Sequence, residues 1–104
     1  MDYPDPLKPF HWNSEKNDLL IAERGVSFEQ IVIAIAQDGL RDIRVHPNGE
    51  RYPNQRLLLV EFENYIYLVP VVEETTHHFL KTIIPSRKAT QELLRRKDPN
   101  DPSH

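Results

Sequence analysis

The sequence predicts a single α+β domain, and three observations carry that expectation. Apolar residues recur at helical spacing in two stretches before residue 39, each opened by a capping residue and closed by a glycine. Four stretches between residues 40 and 84 then switch to strand-like alternation or continuous apolar character. A proline, a serine and two cations at Pro85-Ser86-Arg87-Lys88 open a last helix. The economical arrangement is two N-terminal helices, a four-stranded antiparallel meander sheet and a C-terminal helix, with the helices on one face.

The elements follow in order. Residues 1–9 carry three prolines and no apolar period, which marks a flexible arm. Phe10 and Trp12 flank His11 in a short alternating segment that pins the arm to the core. Asn13 or Ser14 offers an N-cap for a helix bearing Leu19, Leu20 and Ala22, which Gly25 stops. Ser27 and Gln30 have capping-box spacing, and Phe28, Ile31, Val32 and Ile35 form the buried face of a second helix, which Gly39 ends.

Residues 40–46 read as a half-exposed edge strand, and Pro47-Asn48-Gly49 as a turn. Arg56 to Phe62 is the next strand, joined through Glu63-Asn64 to a central strand over residues 65–72. Pro70 removes a ladder donor there, which predicts a bulge. His78 to Ile84 form the last strand, with His78, Leu80, Thr82 and Ile84 on one face and Phe79, Lys81 and Ile83 on the other. Ser86 caps the last helix, whose apolar anchors are Ala89, Leu93 and Leu94, so it is expected to be the most mobile regular element. The domain is expected over residues 10–97, and residues 98–104 form a polar tail with no reason to order.

Composition narrows the function. The chain has no cysteine, hence neither a disulfide framework nor a thiolate nucleophile. It has no apolar run near the roughly 20 residues that span a bilayer, and its start lacks the features of a signal peptide. A cytoplasmic protein is expected. The net charge is −3, unevenly spread. Residues 1–75 carry seven Lys/Arg against thirteen Asp/Glu, whereas residues 76–97 carry six Lys/Arg against Glu92 alone. A basic segment on an acidic body points to a local anion site or to a docking face for an acidic partner. Arg95, Arg96 and Lys97 also suit the negative end of a helix dipole.

The chemistry-bearing residues follow from that segment. No glycine-rich phosphate loop and no metal-ligand spacing occur, and adjacent His77 and His78 point to opposite strand faces, so neither a metal nor a cofactor is implied. The remaining constellation is basic. His78, Lys81 and Arg87 are the candidate catalytic residues; Arg51, Arg56, Lys88 and Tyr67 are the candidate RNA- or phosphate-binding residues. Such a set suits cleavage of RNA without a metal. A base takes the 2′-hydroxyl proton, cations stabilise the phosphorane, and an acid protonates the leaving 5′-oxygen. Histidine is suited to either proton transfer.

Three segments also resemble the BrnT family of bacterial type II toxins: Phe10-His11-Trp12-Asn13-Ser14-Glu15-Lys16, Arg24-Gly25-Val26-Ser27-Phe28-Glu29 and Ile83-Ile84-Pro85-Ser86-Arg87-Lys88-Ala89-Thr90. The resemblance spans roughly residues 10–94. It implies a RelE-like fold, an endoribonuclease that arrests translation, and neutralisation by a small DNA-binding antitoxin, of ribbon-helix-helix type, through which alone the complex would touch DNA. By resemblance, Arg87 matches the arginine of the family's "SAR" segment, Lys88 the basic residue after it, and Arg56 an arginine before the second long strand. Pro85-Ser86 stands where the family has Ser-Ala, and Thr82 where it commonly has another arginine. The alternative expectation is a toxin-like module without catalysis that docks an antitoxin or regulator.

Overall fold

A computed structural model describes residues 8–45 and 48–95. The chain runs β1 (Phe10–His11), α1 (Ser14–Arg24), α2 (Phe28–Ala36), β2 (Leu40–Val45), β3 (Gln55–Phe62), β4 (Tyr65–Glu73), β5 (His78–Leu80), β6 (Ile84–Pro85) and α3 (Arg87–Thr90), which continues as a π-helical turn, Gln91–Arg95. The polar tail, most of the N-terminal arm and the cations Arg96 and Lys97 lie outside the described residues.

Local chemistry sets the two long helices. Asn13 caps α1 by accepting the Lys16 amide at 2.9 Å, and Gly25 ends it in the left-handed region at φ 68°. Ser27 and Gln30 close the capping box of α2. Gln37 and Asp38, the latter at φ 67°, carry the chain out of α2. Gly39 is required for a different reason. A Cβ there would sit 2.6 Å from the Ala34 carbonyl oxygen and 2.8 Å from that of Glu61, so only glycine lets α2 pass this close to β3.

The sheet departs from the expected four-stranded antiparallel meander. Among the described residues it has six strands, is mixed, and follows the order β1-β5-β4-β3-β2, with β6 also paired to β4. Strands β2, β3, β4 and β5 are antiparallel neighbours, but β1 joins β5 in parallel, with Phe10 opposite His78 and His11 opposite Phe79. A two-residue strand gives too short an alternation to announce its partner or direction in sequence.

The helices also lie on both faces of the sheet. Leu20 and Val26 with Phe28, Ile31 and Ala34 of α2 pack on Leu58, Val60, Val69, Val71, Leu80 and Ile83, the first face. Ala89, Leu93 and Leu94 cover Leu57, Leu59, Ile66 and Leu68, the second face. The near-continuous apolar character of β3 and β4 is the mark of strands buried on two sides. In α2, Ile33 is 55% exposed, so its outer side is left uncovered.

The last strand is broken in two, and Pro70 explains why. The Pro70 carbonyl accepts the Lys81 amide at 2.9 Å, so the side of Pro70 that faces this strand has no N–H to offer in return. Leu80 pairs with Val71 and Ile84 with Leu68, so residues 81–83 lie opposite residues 69–70 only. Pro70 itself stays in regular register with Leu57 of β3, so the bulge expected in the central strand is instead one extra residue in its edge partner, and it resets the alternation there. Ile83 therefore joins Leu80 in the first-face core, contrary to the expected facing, while Lys81 and Ile84 are exposed.

Candidate anion-binding corner

Beyond the bulge, β6 pairs with no strand other than β4 among the described residues and turns into α3. Ser86 donates its amide to the Ile66 carbonyl at 3.0 Å and caps α3 by accepting the Ala89 amide, also at 3.0 Å. This fixes Arg87 and Lys88 as the first two helical residues, both exposed. Tyr67 lies in register with Pro85, half-buried, with its ring centroid 5.7 Å from that of Tyr65 and 6.2 Å from that of Phe62. Burial, then the charges of Glu63 and Tyr65, push its phenol above the ordinary tyrosine value. At neutral pH the hydroxyl stays protonated and can donate a hydrogen bond.

Lys81 stands on the same edge but further along. Its amide meets Pro70, whereas that of Ser86 meets Ile66. Four residues of β4 separate the two contacts, a span of roughly 13 Å. The corner is thus a strip along the sheet edge, with Lys81 at one end and Arg87 at the other.

Sequence reading missed one member of this strip. Arg24, in the last turn of α1, crosses to the edge and donates Nη1 to the carbonyl oxygen of Ile83. The residues are 59 positions apart, so no local pattern could reveal the contact. Arg24 is exposed. Among the described residues, Arg24, Lys81, Arg87 and Lys88 form no ion pair within 4 Å. Other cations are neutralised: Arg41 by Glu61, Arg44 by Asp42 and Glu92, and Lys8 by Glu73.

The other candidate residues sit elsewhere. Arg56 pairs with Val71, a row beyond Lys81, and donates Nη1 to the carbonyls of Pro53 at 2.9 Å and Gln55 at 3.0 Å. It organises the loop before β3. Arg51 lies 5.7 Å from the ring centroid of its neighbour Tyr52 in that same loop, a cation–π contact at the far end of the sheet from Arg87. His78 is 1% exposed, with Nδ1 2.6 Å from Glu73 Oε1, and its ring packs 4.9 Å from that of Phe10. Lys8 reaches the same carboxylate oxygen at 3.4 Å. The imidazole is held as part of the β1–β5 junction, with almost no surface open to a substrate. His77 takes the opposite face and stacks on His11 at 4.4 Å.

Two clefts flank the Arg41–Glu61 pair at the other edge of the sheet. One, of about 410 Å³, lies between α2 and the end of β3; the other, of about 350 Å³, lies beneath Leu93 and Leu94. Neither holds a candidate residue from the sequence. Among the described residues no group of three or more His, Cys, Asp or Glu side chains could hold a metal ion, and no helix is long and apolar enough to cross a membrane. Comparison with family models, with curated proteins and with solved structures found no match to this chain.

Proposed function

We propose that this chain is the toxin of a bacterial type II toxin–antitoxin pair, an endoribonuclease of RelE-like fold that arrests translation by cutting RNA in the cytoplasm. A DNA-binding antitoxin, of ribbon-helix-helix type, is its partner. The observation that carries the reading is the strip of cations that, among the described residues, has no carboxylate partners at the β6–α3 corner, on a body that is otherwise acidic. An acidic body repels a nucleic acid except where such a strip admits it, which confines binding to one place. The likeness of the segments at residues 10–16, 24–29 and 83–90 to BrnT toxins supports the same reading.

The chemistry follows from the corner. The 2′-hydroxyl of one nucleotide attacks the phosphorus on its own 3′-oxygen and gives its proton to water, the bond to the next 5′-oxygen breaks as that oxygen takes a proton from water, and a 2′,3′-cyclic phosphate and a 5′-hydroxyl remain. Charge accumulates on the non-bridging oxygens of the phosphorane. In this reading Arg87 meets that charge while Lys88 and Lys81 bind flanking phosphates. The test incubates purified protein with an end-labelled messenger RNA. Cleavage leaving cyclic phosphate and 5′-hydroxyl ends, lost in Arg87→Ala, supports the reading; uncut RNA at micromolar protein overturns it.

The burial of His78 favours a second reading, a toxin-like module without catalysis that docks an antitoxin or regulator. It predicts a salt-sensitive complex with an acidic partner segment and no RNA cleavage.

A further inference from the structure

We propose that Arg24 is a phosphate-binding residue of the corner, gripping a single-stranded RNA backbone from the α1 side of the β6 edge while Arg87 grips it from the α3 side. The inference rests on the RNA reading above and assigns a residue that neither the basic segment nor the resemblance singles out for a role.

Three observations support it. The guanidinium carries five N–H donors in a rigid fork, and among the described residues a single contact, from Nη1 to the Ile83 carbonyl, anchors it. Its remaining donors have no carboxylate partner among the described residues, although Glu23 precedes it in the chain. The anchoring carbonyl belongs to buried Ile83, between exposed Lys81 and exposed Arg87 in the chain, and the exposed Arg24 guanidinium thus stands in the gap of the cationic strip. An arginine held by one bond loses little freedom when a phosphate takes the rest of its fork.

The structural alternative is an edge plug. An open strand edge invites another chain, and capping the Ile83 carbonyl blocks it. The far edge uses that device: the Ile43 amide of β2 is capped by the Asp42 carboxylate at 2.9 Å. A plug needs only the bond to Ile83, whereas a phosphate ligand adds charge to binding, and the two roles differ in salt dependence.

The experiment titrates fluorescent oligouridylate with the full chain at several salt concentrations and reads the slope of log K against log salt. Wild type, Arg24→Gln, Arg24→Lys and the control Lys16→Gln are compared where circular dichroism shows each folded. Lys16→Gln makes the same charge change in the first turn of the same helix, away from the corner. The slope is expected to flatten by about 0.7 in Arg24→Gln, and to stay near the wild-type value in Arg24→Lys and Lys16→Gln. Equal flattening in both glutamine variants, no flattening in either, or a lysine variant as flat as Arg24→Gln overturns the role of Arg24 while leaving RNA binding intact. A wild type that binds no oligouridylate overturns the RNA reading itself.

Discussion

Thr90 ties the last helix to the central strand through Ile66: its Oγ1 accepts the Ile66 amide at 2.8 Å and donates to the Ser86 carbonyl at 2.7 Å. Thr90 and Ile66 are both fully buried. With the Ser86 amide on the Ile66 carbonyl, a side chain completes the ladder where β6 ends. Thr90→Val keeps the shape but strands the buried amide. It is expected to destabilise the protein by about 1–3 kcal/mol in urea unfolding, and Thr90→Ser to restore much of that.

The same contact holds one part of the last helix more firmly than the other. The turn that contains Thr90 is held by buried hydrogen bonds, whereas Leu93 and Leu94 of the π-helical turn are only half-buried. Amide exchange is expected to be slow at Thr90 and fast across residues 92–95. Protection at Leu94 equal to that at Val69 in β4 would contradict this.

Asn17 links the two N-terminal helices. Its Nδ2 donates to Glu29 Oε1 at 2.8 Å, and its Oδ1 accepts the Phe28 amide at 2.8 Å. The Asn17 bond, followed by the Glu29 amide, lowers the Glu29 pKa against a small opposing effect of burial. A carboxylate whose folded pKa is lowered adds stability above its unfolded pKa and loses it as pH falls through the folded value. Asn17→Ala should therefore raise the Glu29 pKa toward its ordinary value, read by NMR titration, and flatten the acid limb of the stability curve.

Tyr67 should titrate above the ordinary tyrosine range. Burial favours its neutral form, so this contribution to stability is present below the unfolded pKa near 10 and is lost as pH rises through the folded value. Ultraviolet titration should show one late phenolate that is absent in Tyr67→Phe. Glu63→Gln should bring it earlier, because Glu63 is the second cause of the shift.

Gly39→Ala tests the close pass of α2 over β3. Its Cβ would meet two backbone oxygens that have no side-chain freedom to move aside. A loss of about 1–3 kcal/mol is expected from the overpacking, read from the urea midpoint. A neutral result would contradict the packing described.

The helices and hairpins were legible in the sequence because their signals are local. Asn13, Ser27, Gln30 and Gly25 cap where their chemistry says they should, and Glu63-Asn64, with φ of 51° and 64°, makes the tight turn expected between two strands. Pro70 signalled a disturbed ladder, but not which strand would take it: the extra residue falls in the edge partner, moves Ile83 into the core and reverses the expected facing. The parallel β1–β5 pairing, the second-face position of the last helix and the Arg24–Ile83 contact all depend on tertiary docking between distant segments. For the candidate site, the basic segment pointed to Lys81, Arg87 and Lys88, which share one edge. Side-chain type alone could not show that Arg56 serves its own loop or that His78 is enclosed beside Glu73.

The central claim is that the cationic strip at the β6–α3 corner acts on RNA. Its most direct test is protein synthesis in a cell-free translation mixture given wild type or the Lys81→Ala/Arg87→Ala double variant. Wild type is expected to stop synthesis as messenger RNA is cut, and the double variant, folded by circular dichroism, to be at least about 100-fold less potent. Undiminished synthesis with wild type, or equal inhibition by the two proteins, would contradict the account.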